Sequence, residues 1–363
     1  MQNIKCKIKN QNLQFEICNL KFTIAQQRGF TLVELLIAMA IASVIGMAGV
    51  AVFSTSNWSY KVNEDVAEAQ QNARVAMERL SKDIRAAGFG LPDPPFSLTI
   101  DTGTFTSPIT ISTSGGSGGS DSITILGIGY EAGALVGESA GQNASTSPYI
   151  CYKKTADTEE KLIGTDNKVR TNRQYISLNG NSFVTLDTTS IVTGECGGVS
   201  GSNKLPLSSP SALDRQYKDD TPVFIIQAVQ YTVNNSAPFL GGCSALNPCL
   251  ASLDFTGLRG MNGGVPSRQV LAENIEDIQF AYGVDADGNG TMDSATGFQN
   301  TVSDPIKIAA VRATVVAKSR NKDMKGATFT RPAIEDHDIS AADNFRRRIL
   351  TKILKVRNPK TGL

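Results

Sequence analysis

Histidine is nearly missing from this chain: one, His337, occurs in 363 residues. With so little imidazole there is no nucleophile–histidine–acid set, and no phosphate-cradling Walker loop is present either. Hydrolytic and nucleotide-driven chemistry are therefore disfavoured; no catalytic residue is assigned, and the chain reads as a non-enzyme. The six cysteines include no C-x-x-C pair, which speaks against a structural zinc site. Charge of one sign is also lacking. With 35 basic against 34 acidic residues there is no polycation argument for nucleic acid, which is not an expected partner. Proline does not occur between residues 29 and 91, so nothing there forbids one uninterrupted helix.

What the sequence does have is a long apolar run behind Arg28. RGFTLVELLIAMAIASVIGMAGVAVF (Arg28–Phe53) stays apolar for about 24 residues, or about 36 Å of helix, enough to cross a bilayer core of about 30 Å. Glu34 alone breaks the pattern; a carboxylate costs about 2.5–3.5 kcal/mol at the bilayer centre and less near an end. A plain membrane anchor accounts for the length. A secretory signal peptide fits worse, because its apolar core is about 7–15 residues long and its cleavage site follows that core.

A basic leader, Gly29, then Phe30-Thr-Leu-Val-Glu34-Leu-Leu-Ile resembles the processing site of type IV pilins and type II secretion pseudopilins. The resemblance implies cleavage after Gly29 by a prepilin peptidase on the cytoplasmic side, and methylation of the new N-terminal Phe30. It further implies that Glu34 of an incoming subunit pairs with the Phe30 amine of a neighbour in the filament. The physics agrees, since an intramembrane carboxylate needs a cation and cleavage creates one. The competing reading leaves Glu34 solvated at the interface. Residues 1–29 are then a prepilin leader, longer than is usual for the family, which points to a translation start nearer Lys21.

That leader holds five basic residues (Lys5, Lys7, Lys9, Lys21, Arg28) and one acid (Glu16), leaving 30 basic and 33 acidic residues in the mature chain. Positive charge ahead of the span places the N-terminus in the cytoplasm and the remainder outside the inner membrane, as a periplasmic head. The resemblance carries that head onward to the pilus and cell surface. Cys6 and Cys18 fall on the reducing side. Cys151, Cys196, Cys243 and Cys249 fall outside, an even number in an oxidising space. Proximity suggests Cys243–Cys249 and Cys151–Cys196, one of three connectivities that four cysteines allow.

Beyond the span, Val62, Val66, Ala69, Ala73, Met77, Leu80, Ile84 and Ala87 recur at steps of three and four, an apolar stripe on a helix that continues into water. Charged residues, Asp83 among them, occupy the other faces. Gly88, Gly90, Pro92, Pro94 and Pro95 end the helix. Its closing segment MERLSKDIRAAGFG (Met77–Gly90) resembles that of PilW-type minor pilins, and more distantly that of J-type minor pseudopilins, which are usually shorter chains.

Residues 96–270 read as short strands in Gly/Ser-rich connections. Candidates are Ser107–Ser112, Ser122–Ile128, Tyr149–Lys154, Gln174–Leu178, Ser182–Leu186 and Pro222–Val233, the last the most β-branched and aromatic. Ser114–Ser120 (SGGSGGS) reads as a flexible loop. Leu271–Asp285 and Pro305–Ser319 read as a strand pair, with Val311, Ala313, Val315 and Ala317 on one face. Phe345–Asn358 reads as a closing strand by resemblance to PilW-type proteins, though Ile349/Ile353 and Leu350/Leu354 also suit a helix. Arg346, Arg347 and Arg348 read as a solvated strand edge that deters aggregation; binding of an acidic partner or DNA is the rival.

One metal motif is present. Asp285, Asp287, Asn289, Thr291 and Asp293 occupy positions 1, 3, 5, 7 and 9 of a calcium loop, with Gly290 at position 6 for the turn. Position 12 is Thr296 rather than a bidentate glutamate, so the pattern is EF-hand-like on a β scaffold, with millimolar calcium as its expected ligand. An Asx-rich turn between two strands has the same composition. No cofactor is required otherwise.

The expected fold is α+β: a long N-terminal helix, half transmembrane and half amphipathic, packed on an antiparallel sheet. The expected division is leader 1–29, helix 30–90 with its membrane half at 30–53, and a β-rich domain at 91–363. By resemblance the function is that of a PilW-type minor pilin that starts or caps assembly, with other major and minor pilins and prepilin peptidase as partners. A type II secretion pseudopilin, or a tip adhesin or DNA-binding subunit, are the alternatives.

Overall fold

The computed structural model describes residues 30–113, 119–136, 149–192, 194–196, 200–208, 213, 217–258, 266–294 and 297–357. Gly29, the leader cysteines, most of the Ser114–Ser120 loop and Thr296 lie outside them. The chain forms two units, Met1–Asn57 and Trp58–Leu363.

Helix α1 covers Leu32–Ala86, 55 residues, close to the span expected from the absence of proline. In the first unit its side chains are all exposed, and this is one helix long and apolar enough to cross a membrane. In the second unit the stripe is covered: Ala69, Ala73, Met77, Leu80, Ile84 and Ala87 are buried, and Ala76 joins them. The helix stops where Gly88 turns left-handed, at φ 80°, a conformation glycine adopts without steric cost.

The strands follow in chain order. β1 is Leu98–Ile100, β2 Gly103–Phe105, β3 Ile109–Ser112, β4 Ser122–Ala134 and β5 Tyr149–Lys153. After the short α2 (Ala156–Leu162) come β6 Tyr175–Leu178, β7 Ser182–Thr185, β8 Ser202–Pro206 and β9 Pro222–Asn234. β10 is Cys249–Asp254, β11 Arg268–Glu273, β12 Ile275–Val284, β13 Phe298–Gln299, β14 Ile308–Lys318 and β15 Arg347–Lys355.

β9 organises the larger sheet, in the order β11-β10-β9-β4-β3, with β6 and then β7 attached beside the start of β9. A second sheet runs β13-β12-β14-β15, and β1-β2 and β5-β8 form two-stranded pairs. All pairings are antiparallel. The near-continuous apolar character of β9 has a direct cause: both its faces are covered. Val229, Tyr231 and Val233 join the cluster under α1, while Ile226 and Ala228 face a second cluster with Leu98 and Phe105. A third cluster gathers around β5–β8 and β6–β7.

Helix and sheet meet closely at Gly127 of β4, where any Cβ would lie 2.7 Å from the Ala86 carbonyl oxygen. Two backbone bonds flank that approach, Gly88 N–H to Leu126 O at 2.9 Å and Ile128 N–H to Phe89 O at 3.0 Å.

Three expectations change. Leu271–Asp285 is not one strand: Asn274 takes φ 57° and divides it between β11 in the larger sheet and β12 in the smaller. Asp83 is not on a solvated face. It is buried, and its carboxylate accepts the Tyr231 hydroxyl. Arg346 and Arg347 do not form a solvated edge. Arg346 pairs with Asp323 at 2.6 Å, and Arg347, 5% exposed at its side chain, bridges Glu276 and Asp343, each at 2.6 Å.

Candidate functional site

The N-terminal motif is built around the first turn of α1. Thr31 precedes the helix, and its hydroxyl accepts the Glu34 N–H at 3.2 Å. The Glu34 carboxylate reaches back to accept the Thr31 N–H and the Thr31 hydroxyl, both at 3.3 Å. This is a reciprocal capping box, in which side chains satisfy donors that a helix start leaves unpaired. The Thr-x-x-Glu spacing carries that signature in the sequence, and Thr31 is the site residue that motif reading passed over. Phe30, one residue earlier, is 85% exposed, and Glu34 is exposed as well.

The acidic loop connects β12 to β13, whose pairing Tyr282↔Gln299 and Gly283↔Phe298 closes its base. Asp285 is fully buried; its carboxylate accepts the N–H groups of Asn289 at 3.1 Å and Gly290 at 2.7 Å. Asp287 accepts the Asn289 N–H at 3.2 Å and its side-chain amide at 2.7 Å. Asp293 accepts the Ala286 N–H at 2.9 Å. Gly288 and Gly290 supply φ of 75° and 81°. One carboxylate oxygen from each of Asp285, Asp287 and Asp293 falls within 4.8 Å of the others, a hard-oxygen set of the type calcium takes. The Asn289 carbonyl is directed elsewhere, accepting the Thr291 N–H at 2.8 Å and the Thr291 hydroxyl. The three aspartates of the expected set thus converge, while the side-chain oxygen of Asn289 is taken up by Thr291. The Asn289 N–H that it accepts holds the Asp287 carboxyl below the ordinary aspartate range.

Both expected disulfides are formed, Cys151–Cys196 and Cys243–Cys249, with Cα atoms 5.9 and 5.6 Å apart.

A cleft of about 1340 Å³ opens between the last turns of α1 and β15, lined by Arg74, Arg79, Lys82, Arg85, Lys352 and Arg357 among others. Against these six cations it has one acid, Glu78, which makes it a cationic surface.

Residues 230–358 match the family described as Type IV Pilus-assembly protein W, and residues 24–50 match the prokaryotic N-terminal methylation motif. The chain is also similar to the pilin-like protein PilA3 of Thermus thermophilus, at 35% identity over 83 residues. That alignment covers 20% of this chain and 36% of the relative's length. No solved structure matches.

Proposed function

We propose that this chain, a type IV pilin of the PilW type, is a minor structural subunit that helps to start or cap the filament and performs no catalysis. The observation that carries the reading is the pairing of a PilW-type head with a methylation-type N-terminus on an exposed apolar helix. In this reading prepilin peptidase cuts after Gly29 and methylates Phe30. The helix rests in the inner membrane with its N-terminus cytoplasmic and its head periplasmic. Assembly then withdraws it into a bundle of neighbouring pilins, with Glu34 meeting the Phe30 amine of the next subunit.

The test is mass spectrometry on filaments sheared from cells. The expected result is peptides of this chain in the filament fraction, beginning at methylated Phe30. An uncut chain confined to the membrane would make it an ordinary anchored protein. Normal surface pili with a secretion defect on deletion would point to the pseudopilin alternative. The DNA-binding alternative keeps only Arg348 of its arginine run as an exposed cation, because Arg346 and Arg347 are held in internal ion pairs.

We further propose that the Asp285–Asp293 loop takes calcium at the millimolar levels of extracellular modules. The convergence of three carboxylates supports it, since their mutual repulsion favours a shared cation. Calorimetry should give a calcium heat that Asp287→Ala removes. No heat in either sample would end the idea.

A further inference from the structure

The cationic cleft beside the end of α1 has no part in the filament or calcium readings, and every residue lining it belongs to the unit Trp58–Leu363. One wall is helical. Arg74, Glu78, Lys82 and Arg85 follow at steps of four, four and three, a single stripe on the helix surface. The other wall is β15 and the residues after it, with Leu350, Thr351, Lys352 and Arg357. The Arg357 N–H donates to the Arg85 carbonyl at 3.3 Å and joins the two walls at one end.

The charged groups here are unpaired. Arg312, Arg331, Arg346 and Arg347 each hold a carboxylate, whereas none of the six cleft cations has an ion-pair partner among the described residues. Ser81, 4% exposed, and Arg79 also line the cleft. The Ser81 hydroxyl and the Arg79 Nε are buried with no hydrogen-bond partner among the described residues. A buried donor without an acceptor is costly, and an anionic ligand supplies acceptors.

The strand selects the class of ligand. β15 ends the order β13-β12-β14-β15 and pairs with β14 alone among the described strands, so its other edge carries unpaired backbone groups. Successive strand residues point to opposite faces. Leu350, Thr351 and Lys352 are successive and all line the cleft, which therefore follows that edge. Backbone N–H and C=O groups at strand spacing are met by another extended peptide and not by a phosphate chain. The cations set the sign. A second copy paired edge to edge would bring like charge, which deters that pairing, while an acidic segment is attracted. Val75 and Phe89, both exposed, and half-buried Leu350 offer apolar contacts between the charges. Arg74 and Arg85 stand eleven residues apart, about 16 Å of helix, which matches about five residues of extended chain.

We propose that this cleft receives an extended acidic segment of another protein, about five residues long, added as a strand beside β15. Carboxylates at alternate positions fall on one face of such a strand and meet the helix stripe.

The experiment titrates the full chain, held in nonionic detergent, into a fluorescein-labelled peptide of alternating glutamate and valine and follows anisotropy. Further probes are two versions methylated on the backbone nitrogens of the glutamates or of the valines, and a single-stranded oligonucleotide of equal charge. The expected result is saturable binding of the unmodified peptide, with one of the two methylated versions about tenfold weaker because its strand pairing is blocked. K82Q and K352Q, both at exposed positions, should each weaken binding about threefold. Absence of saturable binding overturns the proposal. So does undiminished affinity for both methylated peptides, which leaves charge without strand pairing, or equal affinity for the oligonucleotide, which makes the cleft a general polyanion surface. An affinity unchanged in the K82Q/K352Q double variant places the peptide elsewhere and overturns it as well.

Discussion

Glu34 has a local partner before it has any neighbour. The Thr31–Glu34 box and the partial positive charge of the helix start both favour the carboxylate where it is. A helix entering a bilayer with an uncompensated carboxylate is costly, and folding the side chain back on its own first turn lowers that cost. The cap and the proposed intersubunit pair make different demands, and this separates them. Glu34→Gln keeps a side chain that can cap but carries no charge, whereas Glu34→Ala loses both. If the pair with the Phe30 amine drives recruitment, both variants should be depleted from sheared filaments by an order of magnitude or more. Gln-variant filaments populated at the normal level would leave only the cap. The box was legible as Thr-x-x-Glu, and the stripe from Ala69 to Ala87 was legible by its period. Asp83 was not, since helical spacing ranked it with its charged neighbours. The Tyr231 hydroxyl that donates to its carboxylate comes from 148 residues away.

At the scale of elements, the segment between β14 and β15 is a strap fastened by arginine ion pairs and one histidine–aspartate hydrogen bond. Arg312 grips Glu335 at 2.7 Å, Arg331 and His337 meet the buried Asp277 at 3.3 and 2.7 Å, and Arg346 and Arg347 hold Asp323 and Asp343. The Arg346 bond holds the Asp323 carboxyl below its ordinary value. Burial pushes Asp343 up, but its bonds from Arg347 and the Phe345 N–H outweigh that and leave it lowered too. Depressed aspartate values stabilise the fold above the unfolded-state pKa of about 3.9, and that stability is lost as pH falls through the folded values. The midpoint of urea unfolding should therefore hold steady from pH 7 to about 5 and drop below about 4. D323N and D343N should lower it at pH 7 and flatten the acid limb; an acid limb of unchanged steepness in both would remove these two groups as its cause. None of this was readable from Arg346-Arg347-Arg348, because a charge run looks the same whether its partners are water or carboxylates elsewhere in the chain. The division at Asn274 escaped for a related reason. Glu273-Asn274 reads as two more polar positions in a strand, and only the left-handed φ of Asn274 reveals that the chain changes sheets.

For the whole molecule, the membrane run sorts the cysteines, two before it and four after, and the latter pair with each other. Here sequence proximity sufficed: Cys151 lies in β5, Cys196 N–H donates to the hydroxyl of Ser202 at the start of the neighbouring β8, and Cys243 and Cys249 flank one short turn. The two bridges differ in what they constrain. Cys151–Cys196 spans 45 residues and Cys243–Cys249 spans 6. If each acts by restricting the unfolded chain, the long bridge contributes about 4 kcal/mol and the short one about 2 kcal/mol. Ile150 and Tyr152, which flank Cys151, belong to a cluster that α1 does not enter. Cys151→Ser/Cys196→Ser should therefore be the more damaging double variant in chemical denaturation of the oxidised protein, with Cys243→Ser/Cys249→Ser clearly milder. The reverse order would mean that the short bridge fixes native geometry beside β10 rather than limiting the unfolded ensemble. A head that depends on the long bridge would mature only after crossing the membrane, which ties its stability to the side on which the leader's charge places it.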